Sequence, residues 1–163
     1  MQFRWCRIGL AFVMCCAGLA APTLAASGEG AIAVIVAPSQ GKSIKKADLA
    51  LIYKRKKLFW PDGKRIQPVN LPAASALRRM FSQAVLGASL EALEAYWNDL
   101  YFHGISPPFV LSSEEAVLRF VAETPEAIGY VSYCSVASRA KVVFVITPTG
   151  RISEDIAGLQ CGR

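Results

Sequence analysis

Five cysteines, one histidine and a run of basic residues are the groups in this 163-residue chain with chemistry of their own to offer. Cys6, Cys15 and Cys16 fall within the first 26 residues, which leaves Cys134 and Cys161. Two thiols and a lone His103 fall short of a zinc site, which needs further ligands, so no metal is expected. In an oxidising compartment an isolated pair of thiols reads as one disulfide. A Cys134–Cys161 bond closes a loop with 26 residues between the sulfurs and pins the tail from Arg151 to Arg163 onto the core. The chain has no Gly-x-Ser-x-Gly elbow, no phosphate loop and no paired metal ligands. Glu114-Glu115 and Glu154-Asp155 are explained by helix starts or solvation, and His103 by capping carbonyls at a helix end. The expectation is a protein that is not an enzyme and carries no cofactor.

The first 26 residues set the compartment. Arg4 and Arg7 form a short positive segment, Ile8 to Ala21 an apolar run too short to span a bilayer comfortably, and small residues around Ala25 and Ala26 a cleavage site. This reads as a secretory signal over 1–26, a mature domain over 27–163, and a periplasmic location. A membrane anchor is the competing reading, opposed by Pro22 and the small-residue exit; Met14 before Cys15 argues against a lipoprotein signal. Removing Arg4 and Arg7 lowers the formal net charge from +6 to +4. Nine of the remaining basic residues lie between Lys42 and Arg65. Such a cluster attracts nucleic acid, anionic headgroups or small anions, and equally makes a solvated face. Export removes nucleic acid from the expected partners.

The elements follow from periodicity. Ala31 to Ala37 is a continuous β-branched run, expected as a strand buried on both faces. Ser43 is expected to cap a helix bearing Ile44, Ala47, Leu51 and Ile52. Trp60-Pro61-Asp62-Gly63 reads as a turn before a short strand ending at Asn70, with Pro68 favouring its edge or end. Ser75 opens a helix with Leu77, Met80, Phe81, Ala84 and Val85 on one face, stopped by Gly87. Ser89 caps the next, through Leu93, Tyr96, Trp97 and Leu100, whose aromatic stripe reads as core. Ser112 with Glu115 predicts a capping box for a helix carrying Val117, Phe120 and Val121. Strands are expected at Ile128 to Tyr133 and Lys141 to Thr147. The order β-α-β-α-α-α-β-β predicts an α/β domain with helices packed on a small mixed sheet.

Several short motifs, in order, resemble one family. They are Asp48-Leu49-Ala50-Leu51-Ile52-Tyr53, Lys56-Lys57, Trp60-Pro61-Asp62-Gly63, Ile66-Gln67-Pro68-Val69-Asn70 and Ser75-Ala76-Leu77-Arg78-Arg79-Met80-Phe81. Tyr96-Trp97, Phe102-His103-Gly104, Pro107-Pro108 and Pro125-Glu126-Ala127-Ile128-Gly129-Tyr130-Val131 continue the series. Over about residues 31–133 the chain resembles the phosphate-type periplasmic substrate-binding proteins, and so part of a type II binding-protein fold. The resemblance implies capture of a small oxyanion such as phosphate, in connection with an ABC-type importer. Ser75 and Arg78 at a helix start, with Ser39 across the crevice, are the residues it would place there, because backbone N–H groups, a hydroxyl and a guanidinium together hold oxyanions. Ser75 is equally accounted for as an N-cap and Arg78 as a surface residue. Leu71-Pro72-Ala73-Ala74-Ser75 replaces the family's Ser-Gly-Ser-Gly-Thr type of loop and loses donors. The alternative is therefore an envelope accessory domain that kept the fold, lost the ligand and binds a protein partner.

Overall fold

A computed structural model describes residues 28, 30–39, 44–156 and 159–161. The expected signal over 1–26 and the Ser43 cap lie outside these residues. Among them, no helix is long and apolar enough to cross a membrane.

Strand β1 (Ile32–Val36) is buried at all five positions, as its unbroken β-branched run requires. Helix α1 (Lys46–Tyr53) begins with Lys45 at the cap, where the Lys45 N–H donates to the Asp48 carboxylate at 3.3 Å. After the turn at residues 61–63, with Gly63 at φ 83°, comes β2 (Gln67–Asn70). Helix α2 (Ala76–Phe81) runs without a break into a π turn (Ser82–Leu86), which ends on Gly87 at φ 62°. Then follow α3 (Leu90–Tyr101), β3 (Phe109–Val110), α4 (Glu114–Glu123), β4 (Ala127–Ser132), a 3-10 turn (Tyr133–Ser135), β5 (Lys141–Ile146) and β6 (Ile152–Ser153).

The strands form one mixed sheet in the order β3-β2-β4-β1-β5-β6. Strands β2, β3 and β4 are parallel; β1 runs antiparallel to both β4 and β5. Of the expected edge or end, Pro68 takes the end: β2 is an interior strand and Pro68 is its second residue. It is tolerated because β3 joins only at Val69, so Pro68 is paired on one side, with Ile128 of β4. Alternate residues of β4 face opposite layers. Gly129 faces α4 and Tyr130 faces α1 and α2, where Tyr53, Phe81 and Tyr130 form an aromatic cluster. Helices on a small mixed α/β sheet is thus the fold found.

Helix α4 is capped by Ser113, whose hydroxyl accepts from the Ala116 N–H at 3.1 Å, rather than by Ser112. Its two first-turn carboxylates have other work. Glu114 accepts from the Ser132 N–H at 2.6 Å and Glu115 pairs with Arg139 at 2.7 Å. These contacts lock α4 to the far end of β4.

Gly129 explains how close α4 lies to the sheet. A Cβ there would come within 2.7 Å of Val117 and 3.1 Å of Val121 and Val69. Valines are stiff at χ1 and cannot swing clear. Gly129→Ala is therefore expected to destabilise by about 1–3 kcal/mol through overpacking, read as a lower urea midpoint at unchanged slope.

The Cys134–Cys161 disulfide is present, with Cα atoms 5.6 Å apart. It ties the tail to the 3-10 turn after β4, and the Gln160 carbonyl accepts from the Gly28 N–H.

Candidate functional site

The parallel strands β2, β3 and β4 all end on the same side of the sheet, the side where open α/β sheets place ligands. Two helices, α2 and α4, start there, capped by Ser75 and Ser113. The groove between them, about 590 Å³, is lined by Leu71, Pro72, Ser75, Ser112, Glu114 and Glu115. Ser75 accepts from the Arg78 N–H at 3.4 Å, so its hydroxyl oxygen already caps α2.

The Arg78 side chain leaves that groove. It lines a neighbouring cavity of about 650 Å³ with Asn70, Leu71, Leu93, Trp97, Pro107 and Pro108. Its Nη1 is buried and has no hydrogen-bond partner. Asn70, the last residue of β2, is 3% exposed, and its Oδ1 accepts from the Tyr130 hydroxyl at 3.3 Å. The Tyr130 hydroxyl in turn accepts from the Leu71 N–H, and the Tyr53 hydroxyl donates to the carbonyls of Val69 and Ile128.

Burial pushes the Tyr130 phenol up to about 12, against the nearby Arg78 charge and the Leu71 N–H, which both pull it down. Burial, with Tyr130 beside it, raises Tyr53 well above its usual range, and Arg78 again opposes. Both phenols are therefore neutral donors at ordinary pH, and the charged group acting on both is the Arg78 guanidinium. A cation beside neutral dipoles, with an N–H left unpaired, is arranged to accept an anionic oxygen. Glu91 and Glu94 on α3, and Arg79 on α2, also line this cavity.

Ser39 does not join them. Val36 pairs with Ile128 at the start of β4, and Pro68 at the start of β2 pairs with that same residue. The end of β1 therefore lies at the opposite end of the sheet from Ser75, because β1 runs antiparallel to its neighbours. Arg78 and Ser75 are one helical turn apart but serve different clefts. Asn70 was not anticipated; its signal was a polar residue closing an apolar strand. His103 does what its position suggested, with Nδ1 at 3.0 Å from the Asp99 carbonyl. Among the described residues no group of His, Cys, Asp and Glu could hold a metal ion.

No family model matches the sequence, and no curated protein matches it. Solved structures do match in fold. A phosphate transport receptor of the ABC type from Vibrio cholerae aligns at TM-score 0.54 and 20% identity, over 68% of this chain and 44% of its own. A protein from Clostridium perfringens, assigned as a phosphate ABC transporter substrate-binding protein and solved with bound phosphate, aligns at TM-score 0.56 and 21% identity, over 68% and 43%. PstS from Borrelia burgdorferi aligns at 0.52 and 16%, over 69% and 46%. The chain thus has the fold of part of a phosphate-type substrate-binding protein and spans less than half the length of these structures.

Proposed function

We propose that this chain is an exported solute-binding domain that takes a small oxyanion such as phosphate, in connection with an ABC-type importer. The observation that carries the reading is the Arg78 guanidinium, with its buried, unpartnered Nη1, set beside buried Asn70 at the C-terminal end of β2. The likeness in fold to phosphate receptors supports it, and so does the secretory pattern of residues 1–26. Arg78 supplies charge, Asn70 an amide, and Ser75 keeps α2 in register as its cap.

Calorimetric titration with phosphate and sulfate tests this. Arg78→Ala is expected to weaken binding by about tenfold or more, since a hydrogen bond to a charged group is worth about 1.5–3 kcal/mol. Ser75→Ala should act mainly on stability, by about 1 kcal/mol, as an N-cap loss. Equal affinity in wild type and Arg78→Ala removes Arg78 from the site.

A second reading rests on a different observation. Tyr101, Phe102 and Phe109 are 69%, 87% and 75% exposed around the short edge strand β3. An exposed aromatic patch of this kind marks protein-interaction surfaces. If wild type binds neither anion at millimolar concentration, the envelope accessory role takes precedence.

A further inference from the structure

On the other side of the 106–109 loop lies a smaller and more enclosed cavity of about 360 Å³. Arg55 and Arg65 both line it, together with Gln67 and Ser106, and Pro107, Pro108 and Phe109 form an apolar wall. Neither guanidinium has an ion pair or hydrogen bond among the described residues, and the Arg55 Nε is buried with no partner. Burial lowers the pKa of Arg55, and the like charge of Arg65 lowers it further. No ion pair among the described residues offsets that repulsion.

The Arg55 backbone adds to the case. It sits at φ 57°, in the left-handed region that favours glycine, just past the end of α1. An arginine held in a costly backbone conformation, beside another arginine and with no ion pair among the described residues, is poorly explained by stability. An anionic guest removes the repulsion and fills the empty donor positions at once.

We propose that Arg55 and Arg65 form a second oxyanion site, distinct from that of Arg78. It takes the doubly charged head group of a small organic anion whose apolar body lies against Pro107, Pro108 and Phe109. Gln67 and Ser106 supply neutral donors at its rim. The forked guanidinium geometry selects planar or tetrahedral oxyanion heads, and the ring of Phe109, 75% exposed without a guest, gains cover from the body.

Phenyl phosphate is the probe, titrated by calorimetry into the Arg78→Ala protein so that the first site is weakened. One equivalent is expected to bind, and about tenfold more tightly than inorganic phosphate, because the ring adds apolar contact. Arg65→Gln and Arg55→Gly should each weaken it by about tenfold or more. Glycine is at ease at this φ, so Arg55→Gly keeps the fold, and its melting temperature without ligand should be no lower than that of the parent. Arg65→Gln likewise should not lower the unliganded melting temperature, since it relieves repulsion; a purely structural arginine would do the reverse. No binding in the Arg78→Ala background, or binding unchanged by both arginine substitutions, overturns the site. Equal affinity for inorganic and phenyl phosphate overturns the assignment of an organic anion. Because every arm uses the Arg78→Ala background, these outcomes are independent of whether Arg78 itself binds phosphate.

Discussion

Phe81→Ala is expected to cost about 3–5 kcal/mol, the range for removing a fully buried aromatic ring. Phe81 is completely buried and stacks on Tyr130 at 3.9 Å with the rings 4° from parallel. Tyr53 meets it edge-on at 4.6 Å. The three rings join α1, α2 and β4, so the loss strikes the contact that fixes α2 on the sheet. It also reaches the candidate site, because the Tyr130 ring positions the hydroxyl that holds Asn70. Urea unfolding followed by tryptophan fluorescence should show the midpoint shift, and the surviving folded protein should bind phosphate more weakly. Phe81→Leu keeps most of the volume and should cost roughly a third to a half as much. A Phe81→Ala loss below about 1 kcal/mol, the average for any substitution, means that the cluster can collapse around the gap.

Much of this core was legible before the structure, and the reasons are specific. Ala31 to Ala37 has no polar interruption and could only be a two-sided strand; Leu77, Phe81, Ala84 and Val85 share a helical face whatever packs against it. What escaped was decided by tertiary context. Strands β3 and β6 have two residues each, too few for any period to show. The helix after Ser75 widens into a π turn at Ser82, where the buried hydroxyl lacks a partner, and nothing in the local composition marks that change. Ser112 and Ser113 are equivalent by type, and the choice fell on Ser113 because Glu114 and Glu115 then reach Ser132 and Arg139.

The site was legible in part for the same reason. The sequence put Ser75 and Arg78 one turn apart, but side-chain direction is set by neighbours, and Arg78 turns toward Asn70 while Ser75 caps its own helix. Ser39 could be brought close only if β1 ran parallel to β2, and strand direction is not written in a buried apolar run. The basic run from Lys54 to Lys57 looked uniform, and only the backbone separates Arg55, at positive φ, from its neighbours. A solvated face was a fair account of Lys56, which is exposed, and Lys57 is taken by Asp48 at 2.8 Å. It does not account for Arg55.

Reducing the Cys134–Cys161 bond, or replacing both cysteines by serine, is expected to cost roughly 3–4 kcal/mol by loop-closure entropy for a sequence separation of 27 residues. Ile152 and Ser153 make a two-residue pairing with β5, and the Gln160 carbonyl takes one N–H from Gly28. Both cysteines are exposed, so reductant reaches the bond without global unfolding. Thermal unfolding with and without dithiothreitol measures the effect, and peptide mapping of alkylated protein shows which thiols were free. The result also bears on location. A chain kept in a reducing compartment gains nothing from this bond and starts from the destabilised state, whereas an exported chain acquires it on folding. Purified protein whose two cysteines are fully alkylated before any reduction, at the same melting temperature as the reduced form, removes the disulfide from the stability argument. It removes one support of the export reading as well. An oxidised form that melts several degrees higher leaves both standing, because a shift of about 3–4 °C per kcal/mol is the size expected for a domain between a hundred and a hundred and fifty residues.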